Sequence, residues 1–193
     1  MPEAIYNSIS STKTFAELTI KCITIYEDST GKAITIGENV SNVIKAMCKE
    51  SVCKPTLNPV IKDVGSESTQ YTGDENKIIK GYNTISYNIG ATAHKGASIS
   101  SYQIVCGTMS KSSATGSLNN VLSGVFVVSA TDSRGFTTSQ TVEKELINYV
   151  KLTCAMTASA SLNVETNKAD VSLTVSGNFY SGSFGVATNA LTV

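Results

Sequence analysis

Apolar and polar side chains alternate along most of this 193-residue chain, and a period of two commits a segment to a strand with one buried face. Ile85, Tyr87, Ile89 and Ala91 share one face of residues 84–91, while Ser86 and Asn88 point the other way. Tyr102, Ile104 and Cys106 repeat the pattern, as do Phe126, Val128 and Ala130, behind which Val125 and Val127 form a second apolar row. Further on, Val150, Leu152, Cys154 and Met156 alternate with Lys151, Thr153 and Thr157, and Val171, Leu173 and Val175 alternate with Ser172, Thr174 and Ser176. Gly73-Asp74-Glu75-Asn76, Lys95-Gly96, Gly107, Asn119-Asn120, Asp132-Ser133-Arg134-Gly135 and Tyr180-Ser181-Gly182 interrupt the strands. These residues accept positive φ or bond their own backbone. Short strands broken this often predict an all-β fold of antiparallel sandwich type.

One segment has helical spacing: Val40, Val43, Ile44 and Met47 fall at i, i+3, i+4 and i+7. Ile44, Ala46 and Cys48 also share a strand face, and the β-branched pair Val43-Ile44 favours the strand. Three regions follow. Residues 1–54 hold one strong strand over 16–27, a turn at Asp28-Ser29-Thr30-Gly31-Lys32 and one or two further strands, a partial β module. Pro55 and Pro59 mark a boundary, because proline restricts the residue before it and cannot donate to a ladder. Residues 55–146 hold enough strands for a complete sandwich, and 147–193 begin a further module. Leu18-Thr19-Ile20-Lys21-Cys22 is echoed by Val150-Lys151-Leu152-Thr153-Cys154, a faint internal repeat that fits modules joined end to end in an elongated object.

Charge narrows the function classes. Fifteen basic and 15 acidic side chains cancel, which gives no basic face for phosphates, so nucleic acid is not expected as a partner. Charged residues are only 16% of the chain, below the roughly 25% of ordinary soluble domains, and Ser, Thr, Asn and Gly supply the polarity instead. No apolar run is long enough to insert in a membrane, and residues 1–11 lack the basic start and apolar stretch of a signal peptide. Synthesis in a reducing cytosol is therefore expected. The odd, sparse set Cys22, Cys48, Cys53, Cys106 and Cys154 fits it, with Cys22, Cys106 and Cys154 read as buried apolar residues. Whether Cys48 and Cys53 are bridged is left open by their spacing.

Ser129-Ala130-Thr131-Asp132-Ser133-Arg134-Gly135-Phe136-Thr137-Thr138-Ser139 resembles the strand–hairpin–strand of immunoglobulin-like modules in siphovirus (bacteriophage) minor structural and tail proteins. The segment Gly96-Ala97-Ser98-Ile99-Ser100-Ser101-Tyr102 is similar to the loop and strand before it in such modules. Asn178-Phe179-Tyr180-Ser181-Gly182-Ser183-Phe184-Gly185, followed by Asn189-Ala190-Leu191-Thr192-Val193, resembles the opening of a next module. The resemblance covers residues 55–193 firmly and 1–54 faintly. It implies tandem immunoglobulin-like β-sandwich modules in a virion component of the tail tip or fibre. It carries no catalytic residues. Such modules continue where this chain ends, so the missing strands are expected from a longer reading frame or a neighbouring chain.

His94 is the only histidine, and Gly96-Ala97-Ser98-Ile99-Ser100 lacks the closing glycine of a nucleophile elbow, so His94 reads as a loop residue. Cys48 and Cys53 are half a zinc site, Asp74 and Glu75 at most a weak cation site, and no phosphate loop or dinucleotide fingerprint occurs. No enzyme activity, metal or cofactor is expected. Asn39-Val40-Ser41 is a glycosylation sequon that a cytosolic chain would not use. Paired carboxylates cannot be read from sequence, but the sugar-stacking tryptophans common beside them are absent. Among the tyrosines, Tyr87 and Tyr102 read as core, while Tyr71, Tyr82 and Tyr180 lie near turns and are the candidate ligand or host contacts. Arg134 joins them from its hairpin turn, where it is expected to face solvent or pair with Asp132. The leading expectation is a non-catalytic tail or fibre segment, homo-oligomeric and bound to other virion proteins. The alternatives are a domain that attaches to host cell-wall polysaccharide and a fragment of a bacterial surface adhesin.

Overall fold

The computed structural model describes residues 1–190. In chain order it runs through helix α1 (Glu3–Ser8), strands β1 (Phe15–Leu18), β2 (Lys21–Glu27), β3 (Ala33–Val40) and β4 (Ile44–Met47), and the single-turn helix α2 (Glu50–Cys53). Next come β5 (Thr56–Leu57), β6 (Val60–Asp63), helix α3 (Ser66–Thr72), β7 (Lys77–Ile79), β8 (Thr84–Asn88) and β9 (Ala91–Thr92). They are followed by β10 (Ile99–Cys106), β11 (Met109–Lys111), β12 (Thr115–Asn119), β13 (Val125–Asp132), β14 (Thr137–Glu143) and β15 (Glu145–Ile147). The last strands are β16 (Thr153–Asn163) and β17 (Lys168–Asn178). The fold is all-β and its pairings are antiparallel, except that β15 runs parallel to β7.

Two sheets enclose the main core. One has the order β11-β10-β13-β14 and the other β12-β8-β6. The alternation seen in the sequence decides which side chains they share. Ile104, Cys106, Phe126 and Val128 from the first sheet meet Ile61, Ile85, Tyr87 and Leu118 from the second, all buried in one cluster. Tyr102 packs against that cluster half-buried, and Val125 and Val127 stay on the outer face. Apolar burial of this kind is the main force holding two sheets together.

The β13–β14 hairpin closes as its residues dictate. Asp132 Oδ1 accepts the backbone N–H of Arg134 and of Phe136, each at 2.9 Å, and Gly135 takes φ +90°. A glycine carries that angle without the strain a Cβ brings.

The regions before and after the sandwich differ from the expected strands. The strong strand over 16–27 is two strands, broken at Thr19-Ile20: β1 pairs with β4, whereas β2 turns back onto β3. Within 40–49, Val40 closes β3 and β4 covers Ile44–Met47, so the strand reading holds over a shorter length. Three short helices occur where none had been read from the pattern. Residues 148–152, between β15 and β16, form no strand, and β16 starts only at Thr153. After β17, Ser183 bridges Thr188, and Val186 and Ala187 donate backbone N–H groups back to Tyr71 O of α3. Leu191, Thr192 and Val193, part of the segment that resembles a next module, lie outside the described residues.

Cysteine burial splits the set. Cys48, Cys53 and Cys106 are buried and unbridged, while Cys22 and Cys154 are exposed, against the expectation that strand position would bury them. Both exposed cysteines sit second in the first strand of a hairpin that pairs with no further strand among the described residues. The echoed pentapeptides thus mark the roots of the two free hairpins, β2–β3 and β16–β17.

Candidate functional site

Arg134 does not face solvent, and its guanidinium does not pair with Asp132. Its side chain is buried and reaches backbone carbonyls. Nη2 donates to Lys95 O at 2.6 Å and Ile9 O at 3.4 Å, Nη1 to His94 O at 3.3 Å, and Nε to Lys13 O at 3.1 Å and Ser10 O at 3.4 Å. The planar fork of donors suits such a cluster of carbonyls. Beside it Tyr6, Ile9, Cys48 and Cys53 form a second small core against Ala16 and Phe136. Burial first, then a hydrogen bond to Cys48, pushes the Cys53 thiol above its ordinary range. Arg134 therefore ties the N-terminal segment to one end of the sandwich, and a burial of this kind removes it from contact with outside ligands.

The three candidate tyrosines gather at a different place. Tyr71 and Tyr82 line a groove of about 360 Å³ with Ile79, Tyr149, Phe184 and Asn189. Phe184 is the centre of the aromatic packing, its ring centroid 4.9 Å from Tyr180, 5.9 Å from Tyr149 and 6.0 Å from Tyr71. Tyr149 and Tyr180 meet edge to face at 6.0 Å, which joins the chain just before β16 to the chain just after β17. Tyr82 Oη donates to the Glu67 carboxylate, Tyr180 Oη to Ser183 O at 3.1 Å, and Asn189 Nδ2 to Tyr180 O at 2.7 Å. The groove combines apolar ring faces with a few fixed polar atoms, the make-up of small-molecule and sugar sites. Tyr149 and Phe184 were not among the residues picked from sequence. Phe184 lies in the motif that resembles a next module, and nothing local to Tyr149 sets it apart.

His94 is half-buried, with Nε2 at 3.1 Å from Thr56 Oγ1. Among the described residues no carboxylate bonds its ring, and no group of three or more His, Cys, Asp or Glu converges as a metal site. Among the described residues no helix is long and apolar enough to cross a membrane.

Exposed apolar side chains gather on the two hairpins β2–β3 and β16–β17. In β2–β3, Ile23, Ile25, Ile34 and Ile36 are exposed. In β16–β17, Met156, Leu162, Val171, Leu173 and Val175 are each more than 60% exposed. A two-stranded ribbon in water is marginal alone, because it has no second layer on which to bury a face. No protein-family model matches the chain, and no curated protein matches it in sequence.

Proposed function

We propose that this chain is a non-catalytic structural segment of a bacteriophage virion, a tail or fibre module that acts as spacer and scaffold near the host-attachment apparatus. The observation that carries this reading is the pair of hairpins standing off a well-packed sandwich with their apolar side chains uncovered. A chain that works alone in solution rarely keeps so much contiguous apolar surface bare. The family resemblance of the Asp132–Gly135 hairpin and its flanking strands supports the same assignment. Its partners are other tail proteins and copies of itself, and closed symmetric assembly is the usual form of such objects. The test is electron microscopy of the encoding phage with gold-labelled antibodies raised against this chain. Gold on the tail or fibre is expected; virions free of gold, from a stock in which the chain is expressed, would remove the assignment.

The aromatic groove supports a second reading, attachment to host cell-wall polysaccharide. Sugar rings present C–H faces that pack on tyrosine and phenylalanine, and Thr188 and Asn189 add polar atoms to the lining. If the groove binds glycan, labelled protein binds intact host cells saturably, binding falls when wall glycans are stripped, and Tyr82→Ala weakens it at least about tenfold, the equivalent of roughly 1.4 kcal/mol. Folded protein that ignores both kinds of cell restricts the chain to the structural role.

A further inference from the structure

We infer that the apolar face of the β16–β17 hairpin is covered by the same face of a second copy of this chain, with the two ribbons face to face and pointing the same way. The inference deepens the structural reading above by naming the surface and its occupant.

Pairing register sorts the hairpin into two unlike faces. Thr153↔Asn178, Ala155↔Ser176, Thr157↔Thr174, Ser159↔Ser172, Ser161↔Asp170 and Asn163↔Lys168 make a face dominated by hydroxyls and amides. Cys154↔Gly177, Met156↔Val175, Ala158↔Leu173, Ala160↔Val171 and Leu162↔Ala169 make a face without a polar side chain apart from the thiol. Every one of those side chains is exposed. The ribbon strands carry no charge other than Lys168 and Asp170 near the tip, and no proline. Exposed edge strands are normally protected by such residues against pairing, and this ribbon lacks that protection along most of its length.

The shape of the apolar face selects the occupant. With the exception of Met156↔Val175, each cross-strand pair sets a larger side chain beside a smaller one, so the ribbon has bulk and hollow at nearly every level. A two-fold axis along the ribbon, between two facing copies, places β16 over β17 at the same level. Leu173 then sits over Ala158 of the second copy, Val171 over Ala160, and Leu162 over Ala169. Bulk fills hollow on both sides, which is how packed sheet faces interdigitate. An axis across the strands would instead stack β17 on β17, with Leu173 and Val171 against their own kind and the alanines facing a gap. The uncharged face also brings no like charges together when it meets itself. Strands of 11 residues give a ribbon about 36 Å long. Covering its apolar face removes on the order of 600 Å² per copy, which for two copies reaches the roughly 1,200 Å² at which stable interfaces begin.

The root of the ribbon is fixed for this use. Tyr149 and Tyr180 clasp its two ends, and Phe184 and the backbone bonds to Tyr71 hold them to the sandwich.

The test compares the full chain with Leu173→Lys, on the apolar face, and Thr157→Lys, on the hydroxyl face, by light scattering after size exclusion. Native Cys154 on the apolar face and Cys22 on the other hairpin are read by maleimide labelling in the same samples. The wild type and Thr157→Lys are expected as dimers or higher oligomers with Cys154 protected. Leu173→Lys is expected to be monomeric, with Cys154 labelled at least about tenfold faster, Cys22 unchanged, and the unfolding midpoint of the sandwich retained. A monomeric wild type with freely labelled Cys154 would overturn the inference. So would an oligomer that Leu173→Lys leaves intact, or one that Thr157→Lys disrupts equally. Any of these outcomes leaves the virion assignment to be decided by the gold labelling.

Discussion

Asp132 and Arg134 divide the labour of one turn. The carboxylate organises the hairpin by taking two backbone N–H groups, while the guanidinium ignores it and gathers carbonyls of the N-terminal segment and of His94 and Lys95. The turn was legible because its parts are local: an aspartate, a glycine at positive φ and strands on either side. The clasp was not, because its partners Ser10 and Lys13 lie 124 and 121 residues away in sequence. Removing a buried cation's hydrogen bonds strands the carbonyls it served. Arg134→Ala is expected to cost about 2–4 kcal/mol. Arg134→Lys, which offers a point charge in place of a fork, is expected to recover only part of it. Urea unfolding read alongside trypsin cleavage at Lys13 checks both, since undocking the N-terminal segment exposes that site. Unchanged stability and cleavage in Arg134→Ala would mean that the clasp holds nothing.

Alternation located most of the strands, but it says which side chains share a face and not whether anything covers that face. Cys154, Met156, Leu173 and Val175 read as half-buried for that reason and are exposed. The helices escaped because α1, α2 and α3 are too short to show a 3.6-residue period, and α3 is polar along most of its length. The break at Thr19-Ile20 escaped because each half of 16–27 is itself a good strand. Turn chemistry was the more dependable signal. In the β2–β3 hairpin, Asp28 Oδ1 accepts bonds from the Thr30 hydroxyl at 2.6 Å and the Thr30 and Lys32 N–H groups at 2.8 and 3.0 Å, while Gly31 takes φ +80°. The Thr30 hydroxyl foremost, then the two amides, holds the Asp28 carboxyl below its ordinary range. A depressed value means that the turn is supported while the carboxylate is ionised, above its unfolded-state value, and loses that support as pH falls through the folded one. The Thr30 and Lys32 amide signals are therefore expected to shift as pH falls below the ordinary aspartate range, and to stay flat in Asp28→Asn. Amides that titrate alike in both proteins would show that Asp28 does not hold the turn.

At the scale of the molecule, a sandwich with a continuous core carries two ribbons that have no core of their own. The sandwich was legible, since Ile85, Tyr87, Ile104, Phe126 and Val128 announce their burial by period and all lie in its centre. The aromatic groove was half legible. Tyr71, Tyr82 and Tyr180 stood out as tyrosines near turns, but their convergence depends on residues 183–188 folding back on α3, a long-range event with no local mark. Completion of the ribbons by other chains is tested most directly by hydrogen–deuterium exchange of the full chain, dilute and then concentrated. The sandwich strands β8, β10 and β13 are expected to be protected in both samples, and β16–β17 to exchange freely when dilute and slowly when concentrated. Strands β16–β17 that exchange as freely in the concentrated sample as in the dilute one would contradict it.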